Sequence, residues 1–68
     1  MKEQDNKYTM IMELNKGDGF VFQGDRLNET YYYVNTDGPY SKVVQQEKDI
    51  ETESKWAFVS CGSVVKRV

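Results

Sequence analysis

Tyr31, Tyr32 and Tyr33 stand in a row, and Tyr40 follows across a turn-forming segment. A tyrosine joins a large flat ring to a hydroxyl tip, which suits it to recognition rather than to bond making, and it is enriched at binding hot spots. Residues for covalent or metal chemistry are scarce. The chain has no histidine and a single cysteine, Cys61. A thiol without a histidine has no dyad to activate it, no serine has a histidine partner, and zinc sites built from Cys and His are excluded. Glu47, Asp49, Glu51 and Glu53 form an acidic run, yet no spacing singles out an acid–base pair, and the aspartates lack the ligand spacing of a calcium loop. We therefore expect a non-enzymatic protein with no cofactor and no metal.

The tyrosines need a strand to display them. Thr30 to Val34 are β-favouring residues, and Asn35, Thr36, Asp37, Gly38 and Pro39 end the run in a turn. Alternation puts Tyr31 and Tyr33 on one face, Tyr32 and Val34 on the other. With Tyr32 grouped with Val34 as core, Tyr31 and Tyr33 become the outward pair. The expected partner-binding residues are Tyr31, Tyr33 and Tyr40, supported by Arg26 and Lys42. Those cations, with Lys66 and Arg67, are scattered along the chain, so a phosphate-binding groove beside the aromatics requires the fold to gather them.

Composition narrows the setting. The chain has 68 residues, 13% of them aromatic, and a net charge of −2. That length predicts one domain with a small, aromatic core. A charge near zero marks neither an acidic tail nor a polyanion binder. One cysteine forms no internal disulfide, and neither a signal-peptide core nor a membrane-length apolar window is present, so a soluble, cytoplasmic protein is expected.

Along the chain, residues 1–7 are expected to be a disordered N-terminal tail and residues 8–68 a single small β-barrel domain. Tyr8 to Leu14 alternates as a first strand, with Tyr8, Met10, Met12 and Leu14 on its apolar side. Asn15 to Gly19 is a turn, Phe20 to Gln23 a second strand, Tyr40 to Gln46 a fourth after the tyrosine strand, and Lys55 to Cys61 a fifth. Val64 to Val68 closes the chain. Glu47 to Ser54 reads as a solvated loop, because one isoleucine does not anchor a helix and Glu47 and Glu51 repel at helical spacing. Trp56 and Phe58 share a face and are expected to seal the core, with Cys61 a small buried residue at the strand end. The fold class is all-β: a small five- or six-stranded antiparallel barrel with an extra N-terminal strand.

Leu14, Gly17, Asp18, Phe20, Gly24, Tyr32 and Val34 resemble a pattern common in very short phage and mobile-element proteins. The order of strands and turns over Met12 to Val68 is similar to the Src-homology-3-like small barrel. The resemblance implies a module that occupies a surface of a macromolecular partner, such as a phage-encoded inhibitor of a host or defence protein. The aromatic groove of the peptide-binding members is incomplete here, since only one tryptophan is present. Two alternatives remain open: an oligomeric binder of a nucleotide-like ligand, and a single-stranded nucleic-acid binder. Tyr8 to Leu14, as an exposed edge, also offers a homo-oligomer contact.

Overall fold

A computed structural model of the chain describes residues 8–52 and 54–68; the tail expected at residues 1–7 lies outside them. Six strands form one antiparallel sheet: β1 (Tyr8–Met10), β2 (Gly19–Phe22), β3 (Tyr31–Asp37), β4 (Tyr40–Val44), β5 (Trp56–Ser60) and β6 (Val64–Arg67). Their order is β1-β6-β2-β3-β4-β5, so β1 and β5 are the end strands. The all-β expectation holds at this level. None of the described helices is long and apolar enough to cross a membrane.

Turn chemistry sets the meander. Gly38 and Pro39 link Asp37 to Tyr40, which pair across β3 and β4. Gly38 has φ +65°. Proline cannot follow it into positive φ, so the turn is of the II′ kind, with glycine at its first central position. Between β2 and β3 the Asp25 carboxylate accepts from the backbone N–H groups of Leu27 and Glu29 at 3.0 and 3.2 Å, holding a polar loop in shape.

Two apolar clusters lie on opposite faces of β3. The larger holds Ile11, Leu14, Phe20, Tyr33, Val43 and Val65, with Phe22, Tyr31 and Val59 packed against it. The smaller holds Val34, Val44 and Ile50, with Tyr32 against it. Ile50 comes from a one-turn helix, α1 (Asp49–Thr52), where a solvated loop was expected. The correction has a simple cause: Ile50 reaches a patch that β3 and β4 leave open, and its burial holds the turn. The Ser54 hydroxyl donates to the Asp49 carboxylate at 3.3 Å across this turn.

The first strand is also shorter than expected. After Met10 the backbone tightens into a 3-10 turn over Ile11–Glu13, which buries Ile11 and Leu14 and turns Met12 outward. A spacing of three, rather than two, brings two apolar side chains to one side of such a turn.

A β-bulge between Tyr33 and Asn35 shifts the β3–β4 register, so that Tyr33 faces Val43 and Asn35 faces Lys42. The extra residue reverses the alternation beyond it. Thr36, three residues after Tyr33, thereby reaches the same face. The Tyr33 hydroxyl lies 2.5 Å from the Thr36 hydroxyl, which lies 2.7 Å from the fully buried Ser41 hydroxyl. This chain of three hydroxyls satisfies the polar groups beneath β3 and β4.

Candidate functional site

The outward side of β4 and β5 is built by register. Lys42 pairs with Phe58, Val44 with Trp56, and Tyr40 with Ser60. Strand alternation then places Tyr40, Lys42, Phe58 and Trp56 on one face. Val43 points the other way, into the larger cluster. The rings of Trp56 and Phe58 meet edge to face with centroids 4.7 Å apart, and Tyr40 lies 6.2 Å from Phe58. Lys42 places its Nζ 4.8 Å from the centre of the Trp56 ring, a cation–π contact.

This face is open. Tyr40, Phe58 and Trp56 are 53%, 50% and 44% exposed. Three contiguous, half-exposed aromatic rings form the kind of apolar patch that marks an interaction surface on a small protein. α1 and Tyr32 cover the neighbouring part of the same face over Val34 and Val44, but they stop short of the aromatic row.

The residues expected from the sequence divide. Tyr40 and Lys42 belong to this face. Tyr31 and Tyr33 do not, which corrects their expected outward orientation: Tyr33 is 6% exposed within the larger cluster, and Tyr31 stacks beside Phe20 and Phe22, with centroids at 6.1 and 5.1 Å. The reason lies in the two clusters. Each face of β3 has its own cover, so the run of tyrosines has no surplus side. Tyr32, expected as core, packs against the smaller cluster over Gly19, where an added Cβ would come within 3.3 Å of its ring. Arg26 is exposed on the β2–β3 connection, at the end of the sheet where Gln45 donates to Glu29 at 3.1 Å.

Trp56 and Phe58 are the members that sequence reasoning assigned elsewhere, as seals of the core. Ala57 and Val59 alternate with them and are apolar too, so β5 alone gives no parity. The available signal lay in β4, where Lys42 and Tyr40 must share the wetter face, and it reaches β5 only through the pairing register. Cys61 sits half-buried in the turn after β5, its N–H donating to the Pro39 carbonyl at 3.0 Å.

Lys66 and Arg67 lie on β6, which β2 and β3 separate from β4. They line a shallow hollow with Val21, Asn28 and Thr30 and do not join the aromatic row. Among the described residues no group of three potential ligands is placed to hold a metal ion. No family model, curated protein or solved structure matches the chain.

Proposed function

We propose that the protein is a non-enzymatic binding module that occupies a surface of a protein partner through Tyr40, Lys42, Trp56 and Phe58. The observation that carries this reading is the row of three half-exposed aromatic rings on one open face. Rings held against one another by a strand ladder lose little freedom on binding, and aromatic anchors dominate protein interfaces. A protein surface fits better than a nucleic acid because Lys42 is the sole cation on β4 and β5, whereas phosphate recognition draws on several. The phage-like, host-directed role implied by the resemblance belongs to the same proposal. So does a Src-homology-3-like barrel, supported by backbone bonds from Ile11 N–H to Ser63 and from Met12 N–H to Cys61, which draw the β1 end of the sheet toward the β5–β6 turn.

The test is affinity capture from extracts of the source cells with the wild-type chain, a Tyr40→Ala/Phe58→Ala variant and a Leu27→Ala control. Leu27 is 75% exposed on the β2–β3 loop and stands outside the face. A partner retained by the wild type and control but lost with the double variant, while far-UV circular dichroism shows that variant still folded at the capture temperature, is expected. Equal retention by all three overturns the assignment of the face, and capture that collapses as salt rises points to nucleic acid instead.

A further inference from the structure

The edge of β5 carries a second kind of recognition. Cys61 N–H donates to the Pro39 carbonyl. In the same register, hydrogen-bonded pairs alternate with open ones, so Ala57 and Val59 direct their backbone groups to β4. Trp56 and Phe58 therefore direct their N–H and C=O groups away from the sheet, along an edge that no other described strand pairs with. Natural edge strands are guarded by charges, prolines, bulges or brevity. β1 is cut off at Met10, where the chain turns at once into the 3-10 segment. The sequence Trp56-Ala57-Phe58-Val59-Ser60 has no charge, proline or glycine, and its pairing with β4 runs without a register shift.

We propose that β5 pairs antiparallel with β5 of a second copy of this chain, about a two-fold axis at Ala57. This register sets Trp56 opposite Phe58 of the second copy, twice over, and so uses all four outward backbone groups of those residues in each chain. It forms about four hydrogen bonds together with two cross-strand aromatic pairs. Ala57 meets its own equivalent, and its small, exposed side chain leaves room for that approach. A register one residue further on would need the Ser60 carbonyl, which already accepts from Ser63 N–H at 3.0 Å. The contact is isologous and closes at two copies. Five residues span roughly 17 Å of seam, which places the interface in the small, transient class below about 1,200 Å². The aromatic faces of both chains then become one continuous surface.

Sedimentation equilibrium across roughly three decades of concentration around the micromolar range tests this. The average mass should rise from one chain to two and stop there. Ala57→Lys and Ala57→Glu each set like charges opposite each other across the axis, so each variant should remain a monomer, and an equimolar mixture should recover the dimer. A wild type that stays monomeric throughout overturns the proposal. So do variants that assemble as the wild type does, or folded variants whose mixture fails to associate. Amide exchange on the unmodified chain gives an independent reading: Trp56 and Phe58 N–H groups should gain protection as concentration rises, and concentration-independent rates would refute the pairing whatever the variants do.

Discussion

Alanine at Tyr33 and at Tyr40 separates a core tyrosine from a surface one. Tyr33 is 6% exposed and Tyr40 is 53% exposed. An aromatic side chain buries about 150–250 Å², and at ~25 cal/mol per Å² its near-complete removal from the core costs about 4 kcal/mol. Tyr40 keeps roughly half its surface in water, so the same arithmetic caps its loss at ~2 kcal/mol. The scale for comparison is the whole domain. At 68 residues, an expected stability of about 0.05–0.15 kcal/mol per residue gives roughly 3–10 kcal/mol in total. Tyr33→Ala should therefore remove all of a stability at the lower end of that range and leave about 6 kcal/mol at the upper end, whereas Tyr40→Ala should fold throughout it. Urea titration followed by far-UV circular dichroism reads both, and with a slope near ~1 kcal/mol per molar the Tyr40→Ala midpoint moves by no more than about 2 M. Tyr33→Phe refines the measurement. It keeps the ring and removes one end of the hydroxyl chain, while Thr36 and Ser41 retain each other at 2.7 Å, so a loss of ~1 kcal/mol is expected. A Tyr40→Ala variant as unstable as Tyr33→Ala, or a Tyr33→Ala variant that loses less than about 1 kcal/mol, would refute the two-cluster account of β3.

Two further substitutions probe the elements that frame the site. Ile50→Ala removes the anchor of α1 from the Val34–Val44 cluster and should cost about 2–4 kcal/mol, against ~1 kcal/mol for Ile50→Val; equal and negligible effects of the two in thermal melts would return the segment to a solvated loop. Gly38→Ala adds a Cβ that meets no atom within 4 Å, but it does so at φ +65°. It should lower stability by about 1–2 kcal/mol through the backbone alone, an effect checked by the same melts.

Turns and strand identities were legible in the sequence because their signals are local. Gly38-Pro39 and Gly62-Ser63 punctuate the chain, and β-favouring residues fill the intervals. Facing was less legible. Tyr31, Tyr32 and Tyr33 are equally apolar, so only the cover on each side of β3 decides which is buried, and that cover comes from distant Phe20 and Ile50. Ile11 was hidden by a different ambiguity: Met10, Ile11 and Met12 are consecutive apolar residues that fit a period of two or three equally well. Trp56 and Phe58 were misassigned because size suggests burial, whereas their exposure follows from a register set by β4.

The bulge in β3 also fixes how the chain tolerates insertion and deletion. Tyr33 is inward and Asp37, paired with Tyr40, belongs to the outward face, although four residues of regular strand would give them the same side. One supernumerary residue reconciles the two orientations. Loss of a single residue between Tyr33 and Thr36 would force the hairpin to choose between its buried tyrosine and its displayed one, while the same loss in the β2–β3 connection would leave both faces as they are. Chain length at that one point, rather than the identity of any side chain, divides the tyrosines between core and surface.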